Sequence, residues 1–153
     1  MSGSRFAEGW ARPPRAASGQ RLAELEEALA TAPLFADVPK RHLRSLARVT
    51  RVSTHPVNAE IVREGTEGQT LYVIMEGSAR VVKGRRRLAR LGPGDFFGEL
   101  AIFDGEPRTA SVIAEEPVQC VKLEGADFRK LLLREPRLGL AIMTGLARRL
   151  RAS

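Results

Sequence analysis

At 153 residues the chain has the length of one ordinary domain and can bury a core without disulfide or metal staples. Hydrophobic residues at 43% and charged residues at 28% exclude a disordered composition, and the single cysteine, Cys120, excludes an intrachain disulfide or a thiolate-built metal site and points to a reducing compartment. The net charge of +7 rests on an arginine-rich, Ala- and Gly-rich composition, which codon bias in a GC-rich genome explains better than a nucleic-acid surface does, so DNA is disfavoured as a partner.

The longest apolar run, Leu71 to Met75, is far short of the ~20 residues that span a bilayer, and the N-terminus has no signal-peptide apolar region. A cytoplasmic protein without membrane contact is expected. Residues 1–20 mix Ser, Gly, Pro and Arg without periodicity and are expected to form a disordered tail, with Phe6 and Trp10 as its large apolar groups. Residues 21–153 form the folded domain.

From Arg21 to Ala32, Leu22, Leu25, Ala28 and Leu29 recur at helical spacing, and Pro33 ends the helix. A second short helix follows Pro39, with Leu43, Leu46 and Ala47 as its buried stripe. After Val49 the texture changes to short Val-, Ile- and Leu-rich segments punctuated by glycine. Strands are expected at 50–55, 59–64, 70–76, 78–83, 87–91, 109–114 and 118–123, as in a sandwich or barrel. Gly92-Pro93-Gly94-Asp95 suits a type II turn. Helix returns at 126–135 and 137–153; in the last segment Ile142, Met143, Leu146 and Leu150 are expected on one face, which can cover the domain's own core or seal a homodimer.

Within this frame the run FGELAIFDGEPRTASV, Phe97 to Val112, carries Glu99 and Arg108 nine positions apart among apolar residues. Gly98-Glu99-Leu100-Ala101 has the form of a glycine leading into a helix start, where backbone N–H groups converge and an oxygen can approach closely. Arg108 follows a Gly105-Glu106-Pro107 turn at a loop-to-strand junction, from which its guanidinium can fork onto a phosphate. Glu99 discriminates: a carboxylate repels a bare anion, but it suits a ligand that presents a hydroxyl beside its phosphate, or it orients Arg108. A structural ion pair across the loop is the simpler account of an arbitrary Glu and Arg. The small Ala101, Thr109 and Ala110 around a Gly and Pro turn favour a ligand.

The run resembles the phosphate-binding cassette of the cyclic nucleotide-binding domain family, which includes the bacterial catabolite activator protein and protein kinase A regulatory subunits. In weaker form the resemblance extends from about Leu34 through LYVIMEGSA and LGPGDFFGELA to LARRL at 146–150. It implies a mainly β fold with flanking helices: an eight-stranded jelly-roll β-roll with N-terminal helices and a C-terminal helical pair. It also implies that Glu99 accepts the ribose 2'-hydroxyl and Arg108 holds the exocyclic phosphate oxygens. Backbone N–H groups near Gly98, Leu100, Ala101 and Ala110 complete the cradle, and Val81 and Leu88 pack near the base or belong to the core. Thr109 permits cGMP without requiring it, so cAMP or cGMP is the expected ligand, with cAMP favoured.

The catabolite activator type continues past LARRL into a long helix and a helix-turn-helix domain, whereas this chain ends at Ser153. The expectation is a stand-alone sensing module with a short lid, in which residues 126–151 move and an unidentified protein partner receives the signal, or else a fragment of a larger regulator. Cupin-type metal chemistry on a jelly roll needs clustered histidines. Here only His42 and His55 occur, both expected at the surface, and no nucleophile has a base placed for it. No catalytic residue, metal or cofactor is therefore expected, and the chain does not read as an enzyme. The remaining alternative is a vestigial pocket on a protein- or nucleic-acid-interaction module, with Arg85-Arg86-Arg87 as its basic tip; a solvated turn is the commoner account of that run.

Overall fold

The computed structural model describes residues 19–98 and 107–152. Helix α1 (Gly19–Thr31) ends before a 3-10 turn at Pro33–Phe35, and α2 (Lys40–Arg48) leads into β1 (Thr50–His55). Then come β2 (Glu60–Val62), β3 (Thr70–Glu76), β4 (Ala79–Lys83), β5 (Arg86–Leu91), β6 (Phe96–Phe97), β7 (Ser111–Ala114) and β8 (Val118–Glu124). Helices α3 (Gly125–Arg134) and α4 (Pro136–Ala152) close the chain. Gly19 and Gln20, expected in the tail, belong to α1, and residues 1–18, the rest of that expectation, lie outside the described part.

The strands form two four-stranded antiparallel sheets, ordered β1-β8-β3-β6 and β2-β7-β4-β5. This is the jelly-roll β-roll with flanking helices that the resemblance implied. Alternation along β3 divides the interior in two. Leu71 and Val73 point toward the helices and join Leu25, Leu29, Leu46 and Phe128 in one cluster, while Tyr72 and Ile74 point into the roll with Val112, Ala114, Val118 and Cys120. Burial in the roll pushes the Cys120 thiol up to about 12, so it acts as a small apolar filler rather than a nucleophile. The turn before β6 has the expected geometry: Gly94 has φ of +90° and the Asp95 N–H donates to the Gly92 carbonyl at 3.0 Å.

One strand lies outside those expected from the sequence, and the expectations for Met143 and His42 are corrected. Strand β6 was not read from the sequence; its two residues, paired with Tyr72 and Val73, are too few for any period to show. Met143 does not share the buried face of Ile142. At 100° per residue Leu138, Ile142 and Leu146 form the inward stripe of α4, and Met143 turns outward with 60% exposure. His42 is not a surface residue: it is buried beneath the junction of α3 and α4, where its Nδ1 meets Glu135 Oε1 at 2.5 Å. His55 is half-buried and shares a 3.0 Å hydrogen bond with Ser53 Oγ; desolvation, and then the Lys122 cation, holds its pKa below the usual imidazole value. Among the described residues no helix is long and apolar enough to cross a membrane.

Candidate functional site

Arg108 stands just ahead of β7, and its backbone is fastened to the connection between β2 and β3. Its N–H donates to the Thr66 carbonyl at 2.8 Å, and its carbonyl accepts from the Gly65 N–H at 2.8 Å. Thr66 is itself held in a turn by its hydroxyl, which donates to the Arg63 carbonyl at 2.6 Å, and Ser111 Oγ accepts from the Glu64 N–H at 2.9 Å. The chain on both sides of Arg108 is thus anchored before its side chain makes any contact.

The side chain then runs inward, leaving 9% of the residue exposed, and Nη1 donates to the Thr70 carbonyl at 3.2 Å. Two glycines leave it room. At Gly68 a Cβ would lie 3.1 Å from Nη2; at Gly98, where φ is +88°, a Cβ would collide with Nη1 and with the Thr70 carbonyl oxygen. Gly98 closes β6 beside β3, so the glycine that opens the charged run lies directly against the arginine that ends it. The residues between them in the chain, 99–106, fall outside the described part, which includes the expected site residues Glu99, Leu100 and Ala101.

A cavity of about 430 Å³ opens beside Arg108, with Thr66, Gly68, Thr70 and Tyr72 among its walls and Glu60 and Arg63 paired at 2.7 Å on it. Tyr72 stacks on Phe97, with ring centroids 4.9 Å apart and planes at 11°, while the His55 ring meets it edge-on at 6.2 Å. Burial raises the Tyr72 hydroxyl pKa, and the Arg108 charge works in the opposite direction. The two side chains therefore lie in one electrostatic environment.

Of the expected residues, Gly98 and Arg108 are brought together. Thr109 is exposed and Ala110 half-buried at the entry to β7. Val81 packs against the roll cluster, paired with Val112, whereas Leu88 sits at a bulge of β5, 50% exposed, and neither is part of the cavity wall. Thr66, Thr70 and Tyr72 were not singled out from the sequence. The period of two along TLYVIME put Tyr72 on the same face as Ile74, and that was the available signal. Among the described residues no group of three or more His, Cys, Asp or Glu could hold a metal ion.

The family model of the cyclic nucleotide-binding domain matches residues 54–135. A cyclic nucleotide-gated potassium channel of Mesorhizobium japonicum is 37% identical over 110 residues, 72% of this chain and 30% of the channel. A CRP-like cAMP-activated global transcriptional regulator of Mycobacterium tuberculosis is 32% identical over 132 residues, 83% of this chain and 59% of the regulator. The chain thus spans less than two thirds of either relative. The crystal structure of a cyclic nucleotide-binding domain from Methylobacillus flagellatus KT is 28% identical with a TM-score of 0.74, covering 87% of this chain and 78% of that one. With the cassette glycine and arginine in contact on a two-sheet β-roll and the model matching more than half of its residues, the chain belongs to the cyclic nucleotide-binding domain family.

Proposed function

We propose that this chain is a noncatalytic cyclic nucleotide sensor, binding cAMP in preference to cGMP and passing the signal to a protein partner through its C-terminal helices. The observation that carries this reading is Arg108: a nearly buried guanidinium, anchored through its backbone, pinched by Gly98 and bordering a cavity of about 430 Å³. A guanidinium held in this way has little rotamer entropy left to lose and can fork onto the exocyclic oxygens of a cyclic phosphate. Glu99 accepts the ribose 2'-hydroxyl, and backbone N–H groups near Gly98, Leu100, Ala101 and Ala110 complete the phosphate cradle; Val81 and Leu88, outside the cavity wall, are left to roll packing and to the β5 bulge. The cAMP preference is supported by the cAMP-activated regulator among the relatives, and Thr109 leaves cGMP as the second ligand.

Helices α3 and α4 are the responding element, since Gly125 at the root of α3 donates its N–H to the Gln69 carbonyl beside the site, at 2.6 Å. The outward Leu140 and Met143 of α4, 62% and 60% exposed, support a homodimer through that helix. The test is calorimetric titration of cAMP. Arg108→Ala should cost about 1.5 to 3 kcal/mol, one to two decades in affinity, and the 2'-deoxy analogue should bind more weakly to the wild type. Unchanged cAMP binding by Arg108→Ala would overturn the assignment.

A further inference from the structure

The hairpin of β4 and β5 carries a charge arrangement that neither the fold nor the nucleotide site calls for. From Gly77 to Gly94 it holds six cations, Arg80, Lys83, Arg85, Arg86, Arg87 and Arg90, and no carboxylate. Its register sets like charges directly opposite one another: Arg80 against Arg90, and Lys83 against Arg86. Cross-strand pairs of one sign weaken a sheet, so folding alone disfavours this pattern. Two carboxylates from outside the hairpin compensate part of it: Glu115 lies 3.3 Å from both Arg87 and Arg90, and Glu64 Oε1 accepts from the Gly84 N–H at the tip at 2.9 Å.

Protection of a sheet edge does not explain the rest. Charges on an edge strand do keep other chains from pairing with it, and β5 is an edge strand, exposed along its length up to Leu91. But Arg80 and Lys83 belong to β4, which lies between β7 and β5 and has no free edge to guard. Codon bias, which accounts for a basic composition, does not account for its concentration on one hairpin in this register.

The chemistry selects the partner. Five of the six cations are arginines, whose forked donors fit phosphate oxygens. At about 3.3 Å per residue, the distance from the Arg80–Arg90 level to the tip at Arg85 is roughly 16 Å. A duplex carries one phosphate per about 3.4 Å along each strand, so the hairpin spans about five phosphates, of which Arg80, Arg87 and Arg90 on its outward face, with Arg85 at the tip, can meet about four. A lipid surface would call for apolar or aromatic groups at the tip, and the exposed large apolar residue of the hairpin is Leu88 alone. We propose that the β4–β5 hairpin binds the phosphate backbone of duplex nucleic acid without reading its sequence, as an interaction separate from the nucleotide site.

The test uses the full chain and a fluorescent duplex of mixed sequence, about 20 base pairs long, with anisotropy followed between about 50 and 200 mM salt. With four or so phosphates neutralised, log K should fall against log salt with a slope of about −3 to −4. The double variant Arg85→Glu/Arg86→Glu should bind at least about tenfold more weakly at the low-salt end, with the slope shallower by about two. Arg108→Ala should bind the duplex as the wild type does. A slope shallower than about −1, an unaltered double variant, or loss of binding in Arg108→Ala would each overturn the proposal. So would sedimentation with phosphatidylserine vesicles in the absence of duplex binding.

Discussion

Arg108 at the mouth of the roll and His42 beneath the C-terminal helices are both more than nine-tenths buried, at 9% and 7% exposure, yet their surroundings differ in kind. His42 is closed off by its own chain: Nδ1 meets the Glu135 carboxylate at 2.5 Å, and Nε2 is buried with no hydrogen-bond partner among the described residues. Arg108 is built into a frame of backbone, with the Thr70 carbonyl at 3.2 Å, a glycine on either side and a cavity in front. Burial of a basic group therefore does not by itself identify a binding site. The distinction that the described residues show is the cavity that opens beside Arg108.

The strongest way to break the contrast is Gly98→Val. The substitution forces a branched side chain into a left-handed backbone and drives its Cβ into the Thr70 carbonyl and the Arg108 guanidinium. A loss of about 3 kcal/mol is expected, or a Tm lower by about 6 to 12 °C for a chain of this length. Stabilisation by cAMP should vanish with it. Melting curves with and without the nucleotide check both; a variant that melts normally and still gains stability from cAMP would show that the glycine is not the pinch point. Arg108→Lys is the gentler change. It keeps the charge but loses the fork, so cAMP affinity should drop about tenfold, between the wild type and Arg108→Ala, with little change in Tm.

How much of this was legible in the sequence depends on the range of the interaction that decides each feature. Strands β1 and β3 fall on the residues expected of them, since alternation and the flanking turns are local signals. The turn at Gly94 was legible for the same reason, as were the helices on either side of Pro33 and Pro39. Strand β6 was not, because two residues become a strand only by pairing with Tyr72 and Val73, more than twenty positions earlier. His42 and Glu135 lie 93 residues apart, and no local pattern foretold their meeting. At the candidate site the motif announced Gly98 and Arg108, but not Thr70, whose carbonyl and Gly98 both border the same guanidinium. The like-charge pairs of the β4–β5 hairpin show the same limit. Arginine content is visible in composition, while Arg80 facing Arg90 requires the register.

The smallest expected effect tests the sealed side of the comparison. The hydrogen bond from His42 is the main cause that holds the Glu135 pKa below its ordinary 4.5, with burial working against it. A carboxylate whose folded value is depressed contributes stability that is fully present above the unfolded value and is lost as pH falls through the folded one. Glu135→Gln should therefore melt about 2 to 4 °C below the wild type at pH 7, corresponding to about 1 kcal/mol for the lost charge-assisted bond. The gap should narrow below pH 4.5 and close once the wild-type carboxyl is itself protonated. Because Glu135 caps the end of α3 immediately before Pro136 opens α4, the same variant should leave cAMP affinity unchanged if His42 and Glu135 serve only to hold the helices together. A shift in affinity that follows the same pH window would instead tie the sealed pair to the open site.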